Sequence, residues 1–146
     1  MNYDTNHLKS GINAGLIAGV VFGAMMGMMG MLPMIAMLIK SESAVLGFVL
    51  HLVFSAIIGG IFGLVFGHAA INKGPAILFG LVYGAVWWVL GPLMVMPLWL
   101  GMGIQLSAKG AVMALPSLWG HLVFGFILGL IYPMFAKSEN QMVETK

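Results

Sequence analysis

The chain has 146 residues, of which 61% are hydrophobic and only 7% charged, with 21 glycines, 14 methionines and no cysteine. A soluble domain carries about a quarter of its residues as Asp, Glu, Lys and Arg, so this composition excludes a water-soluble globular protein and points to one embedded in the bilayer. The net charge of +2 lies in loops and tails, which excludes the clustered basic face of a nucleic-acid binder, and the missing cysteines exclude disulfides, thiolate metal sites and thiol nucleophiles.

Polar punctuation leaves four apolar runs, at about 12–39, 44–67, 75–100 and 111–136. A helix needs about 20 residues to cross the hydrocarbon, so each run suffices. The chain therefore reads as all-α: one transmembrane domain over 1–146, an integral membrane four-helix bundle. "MNYDTNHLKSG" precedes the first run without a small-residue cleavage site, and reads as the start of a retained helix instead of a removed signal. Runs one and three carry prolines late (Pro33, then Pro92 and Pro97), where a kink or break is expected. Lys9, Lys73, Lys137 and Lys146 fall on one side and Lys40 and Lys109 on the other, which by the positive-inside bias places both termini in the cytoplasm.

The second half echoes the first. "HLVFSAIIGGIF" at 51–62 aligns with "HLVFGFILGLIY" at 121–132, and "FGAMMGMMG" at 22–30 with "YGAVWWVLG" at 83–91, laying Gly23 on Gly84 and Gly30 on Gly91. The pattern is that of two tandem helical hairpins, about 11–72 and 73–137, in the same orientation because two crossings separate equivalent positions. Glycine recurs every fourth residue through Gly11, Gly15, Gly19, Gly23 and Gly27, again through Gly59, Gly63 and Gly67, and in the pairs Gly80 with Gly84 and Gly125 with Gly129. In lipid such small stripes let helix backbones approach and hold them together. The long stripe on the first helix suits equally a contact with another copy of the chain or with a membrane partner subunit.

His51 shares its helical face with Ser55 and Gly59, and His121 with Gly125 and Gly129, so both imidazoles point into helix interfaces near mid-membrane. A titratable group at that depth is a functional candidate. An ideal hairpin turning near residue 40 sets Met28 and Met29 level with His51, and thioether with imidazole suits Cu(I); His51, His121, Met28 and Met29 are the candidate metal ligands. The two histidines could instead be axial ligands of a haem, sense protons, or serve only as hydrogen-bonding glue between helices. Methionine also fills gaps left by glycine. His7 and His68 sit at span ends and read as solvated.

With no carboxylate inside a span and no nucleophile set, the chain reads as non-enzymatic. The functional readings are a membrane protein with a paired histidine site, a small transporter or channel, or an accessory subunit of a larger membrane complex.

At "GFVLHLVFS" (47–55), "GPAILFGLVYGAVWW" (74–88), "MPLWLG" (96–101) and "LWGHLVFG" (118–125) the chain resembles the YagU-like family of small bacterial inner-membrane proteins. The resemblance implies a bacterial inner-membrane location and a link to acid tolerance, and it carries over His51 and His121. The chain departs from that pattern at Pro92, where a third histidine can occur, and in lacking acids near the fourth helix.

Overall fold

The structure, a computed structural model, describes residues 3–144, with side chains placed over residues 4–137. It is all-α among the described residues. Helix α1 runs Tyr3–Met28, α2 Leu32–Ala36, α3 Ala44–Phe66, α4 Lys73–Leu90, α5 Met96–Trp99 and α6 Ala108–Glu144. Four stretches are long and apolar enough to cross a membrane: Asp4–Met28, Ala44–Phe66, Lys73–Trp99 and Ala108–Lys137.

The first span differs from its expected extent. It begins earlier, taking Asn6, His7 and Ser10 into α1, and it stops at Met28 instead of near residue 39. Gly30 adopts a left-handed conformation, φ 68°, which ends a helix at no steric cost, and Pro33 then opens α2 at a position where its missing donor is harmless. The chain folds back as α2 and a 3-10 turn, Met37–Ile39, closed by Lys40 with φ 57°. Ser43 caps α3 by accepting a hydrogen bond from the Leu46 amide, 3.3 Å.

Pro92 acts differently. Lacking a donor and crowding the preceding turn, it sits in a π-helical turn, Gly91–Val95, through which the Met96 amide reaches the Gly91 carbonyl. The helix widens without breaking, and α4 continues into α5 as one span. Pro116 and Pro133 are likewise absorbed within α6.

Glycine decides which helices touch. On α1, Gly11 and Gly15 meet the backbone of Gly59, and Gly63 meets that of His7 and Gly11; a Cβ at any of these would collide with main chain that has no room to yield. The α4/α6 pair repeats the device, with Gly80 on Gly125, Gly84 on the His121 carbonyl and Gly129 on Ala76. The contacts correspond under the alignment of the two halves: Gly19 with Ser55 matches Gly80 with Gly125, and Gly23 with His51 matches Gly84 with His121. Between the hairpins, α1 lies on α6 and inserts Phe22 against Gly120. Helices α3 and α4 stand further apart and are bridged by rings: Phe62 and Tyr83 at 5.4 Å, Phe66 and Phe79 at 5.3 Å, and the Tyr83 hydroxyl donating to the Ile58 carbonyl at 2.8 Å. Backbone proximity thus holds each hairpin, and aromatic area joins them.

The glycine stripe of α1 is therefore largely consumed within the chain. Gly11, Gly15, Gly19 and Gly23 all face α3, so these four offer no surface to a second subunit; Gly27, the last of the stripe, is exposed.

Candidate functional site

His51 stands about two turns, roughly 10 Å, into α3. Its neighbours one turn away on the same face, Gly47 and Ser55, are small and buried, which leaves the imidazole room to lie between α3 and α1. The ring is 8% exposed. Its Nε2 is 3.0 Å from the Gly19 carbonyl oxygen, and because a carbonyl only accepts, the hydrogen is on Nε2. Ser55 Oγ donates to the His51 carbonyl at 2.8 Å, which satisfies the hydroxyl locally.

His121 is half-buried on α6, and its hydrogen bond has a different character. Nδ1 donates to the Ser117 carbonyl, one turn earlier on the same helix, at 2.8 Å. The two neutral rings are thus opposite tautomers: His51 retains its Nδ1 lone pair and His121 its Nε2 lone pair. His51 ties α3 to α1, whereas His121 ties α6 only to itself. Its Nε2 lies beside Gly91, where a Cβ would come within 3.8 Å, at the first residue of the π-helical turn.

Phe22 of α1 meets both imidazoles. Its ring centre is 5.1 Å from that of His51, at 90°, and 5.0 Å from that of His121, at 66°. Phe22 is 7% exposed and held by α1 packing on Gly120, whose missing side chain makes its seat. The fold thus brings the two histidines against one benzyl ring. A metal shared by both would need Nδ1 of His51 and Nε2 of His121, the nitrogens that keep a lone pair, each within about 2.0–2.1 Å of it.

Met28 and Met29 do not join the site. Gly19 lies against Ser55, and Gly23 against Phe48 and His51, so His51 is level with residues 19–23 and Met28 is about 8 Å further along α1. Met28 is 82% exposed and Met29 49%. The ideal hairpin register fails because α2 and the 3-10 turn lengthen the connection, so residues that pair across it are fewer helical turns from its end. Among the described residues, no three His, Asp or Glu side chains gather as a metal-binding group.

A second polar cluster occupies the opposite end, where the sequence suggested solvated histidines. His7 is 3% exposed and hydrogen-bonded through Nδ1 to the Tyr132 hydroxyl at 2.5 Å. The His68 ring is 5.0 Å from it, and fully buried Ser10 lies one turn on. Tyr132 itself is fully buried, edge-on to Phe62 at 5.4 Å. His68 is exposed, as expected of a span end; His7 is not. The available signal was spacing: His7 precedes Gly11 by four residues and so continues the glycine stripe that faces α3.

The described Asp, Glu and Lys side chains up to Lys137 are all exposed and lie at or beyond the span ends. Among the described residues, no charged group of either sign faces the His51, Phe22 and His121 array. Compared with protein-family models, with curated proteins and with solved structures, the chain finds no match.

Proposed function

We propose that the protein is a small, non-enzymatic, multi-pass protein of the bacterial inner membrane, built by duplication of a helical hairpin, with both termini cytoplasmic, and that its working part is the His51, Phe22 and His121 array acting as a proton-responsive joint. The observation that carries this reading is the contact of Phe22 with two imidazoles that each keep one lone pair. The array has two sites for a proton, and Met28 and Met29, the soft ligands that would favour copper, are exposed and do not reach it. The repeated "HLVF" is then a repeated joint, one copy in each hairpin, and the resemblance to the YagU-like family agrees with an acid-linked role.

The response follows from electrostatics. A proton added to either ring creates a cation inside the hydrocarbon region, at a cost of about 3 kcal/mol or more. Two such cations, each about 5 Å from the Phe22 ring and so no more than about 10 Å apart, would repel by about 1.7 kcal/mol or more at an effective dielectric constant of about 20. Both terms act where Phe22 of α1 meets His51 of α3 and His121 of α6, at the junction of the two hairpins, so acid loosens that junction.

The test is unfolding in mixed detergent micelles between about pH 8 and about pH 5, the range in which histidine titrates. The wild type is expected to lose resistance to unfolding as the pH falls. His51→Gln with His121→Gln keeps hydrogen-bonding capacity without the titration, and is expected to flatten the profile beyond any contribution of His7 and His68, measured separately with His7→Gln. An unchanged profile in the double variant refutes the joint.

A further inference from the structure

The face of α1 opposite the bundle has its own pattern. Gly11, Ala14, Gly15, Ala18, Gly19 and Phe22 are buried against the neighbouring helices, whereas Asn13, Ile17, Val20, Ala24 and Gly27 are exposed. Ile17 is 42% exposed and Val20 50%. These five positions advance by alternate steps of four and three, which is the seam of a left-handed helix pair.

The first member of the seam is polar, and its depth matters. Gly11 and Gly15, on either side of Asn13 along α1, both pack on Gly59, which is about 10 Å from the end of α3 at Phe66. Asn13 therefore lies within the hydrocarbon, on the side facing lipid, and its carboxamide hydrogen-bonds no group among the described residues. Acyl chains offer an amide nothing to bond with. The next polar group on this face, Lys9, is exposed one turn nearer the aqueous side and extends toward the headgroups.

We infer that the protein is a homodimer through this face of α1, with a two-fold axis along the membrane normal and the two Asn13 carboxamides paired across it. A second copy is the occupant that fits. A carboxamide both donates and accepts, so it is complementary to itself, and a two-fold axis along the normal brings equivalent residues together at the same depth. An asparagine at one seam position also fixes the register of a helix pair. Beyond it, Ile17 and Val20 give way to Ala24 and Gly27, so the two helices close on each other toward the far end. The dimer is independent of the proton-responsive joint, which lies on the buried face of the same helix.

The absence of cysteine makes the test direct. Single variants Ile17→Cys, Val20→Cys and Ala24→Cys, oxidised in native membranes, are expected to give cross-linked dimers, while Val53→Cys and Leu64→Cys on the exposed face of α3 are not. In liposomes, with dimerisation followed by energy transfer between labelled copies, Asn13→Leu is expected to raise the dissociation constant about tenfold, the effect of losing an interhelical amide pair, and Asn13→Gln to restore it in part. Asn13 faces lipid, so the leucine variant leaves the bundle core untouched. Cross-linking on α3 equal to that on α1, a monomer throughout, or a dimer indifferent to Asn13→Leu overturns the inference.

Discussion

Gly59 and Gly60 are neighbours on α3 that meet different kinds of atom, and alanine at each separates two effects of the same substitution. A Cβ on Gly59 would sit 2.7 Å from Gly15 Cα and 3.0 Å from Gly15 N, main-chain atoms of a facing helix. Carbon atoms pack at about 3.5–4.0 Å, so α1 and α3 must part by about 1 Å along the stripe. A gap of that size forfeits up to about half of a contact worth about 0.15 kcal/mol, and some 50 atom pairs across the stripe would together lose about 3 kcal/mol. The higher helix propensity of alanine returns little, because both helices remain helical in lipid when the bundle comes apart. A Cβ on Gly60 would instead meet side chains, Leu8 Cδ1 at 3.0 Å, a methyl that can turn away, and Ile12 Cγ1 at 3.2 Å, which must give by a few tenths of an ångström, so Gly60→Ala is expected to cost no more than about 1 kcal/mol. Unfolding by a rising mole fraction of sodium dodecyl sulfate in mixed micelles, followed by tryptophan fluorescence, measures both. Equal losses in the two variants would refute the claim that backbone proximity holds the hairpin.

Phe22→Ala removes a buried ring and leaves a cavity of about 100 Å³, for a loss of about 2–3 kcal/mol in the same unfolding assay; a loss below about 1 kcal/mol would mean that the ring does not organise the two histidines. Tyr132→Phe keeps the aromatic packing and removes the hydroxyl bonded to His7, and is expected to cost about 1 kcal/mol, with the His7 ring nitrogen resonances shifting in NMR spectra while those of His51 stay in place. Met28→Leu with Met29→Leu is expected to leave the pH profile of unfolding unchanged, since neither side chain reaches the imidazoles.

How much of the site was legible in the sequence depends on which residue is asked about. His51 and His121 announce themselves, because a repeated titratable residue among glycines on one helical face has few innocent settings in an apolar run. Phe22 does not, since an aromatic residue in an apolar run carries no mark of what it touches. Its role comes from the α1/α6 contact and from Gly120, which lies about a hundred residues further along. His7 reads as solvated because polar residues near a chain end suggest solvent, and it is the packing of Gly63, Gly67 and Tyr132 around it that buries it.

Composition and hydropathy by themselves determined that the chain is all-α, with four stretches able to span a membrane, since a bilayer admits continuous apolar helices and little else on this scale. The four-residue spacing of glycine determined which faces approach closely, since a missing side chain acts through its own position alone. The tertiary structure decided the rest. Where α1 stops, and hence which residues of α1 and α3 are level, turns on Gly30 and Pro33 acting together with the fold-back of α2, and a shift of two turns separates Met28 from His51. The face of α1 that remains open was also a tertiary matter. Each helix has several apolar faces, and only the assembled bundle shows that the glycine face is spent inside while the face bearing Asn13 is left to lipid or to a partner.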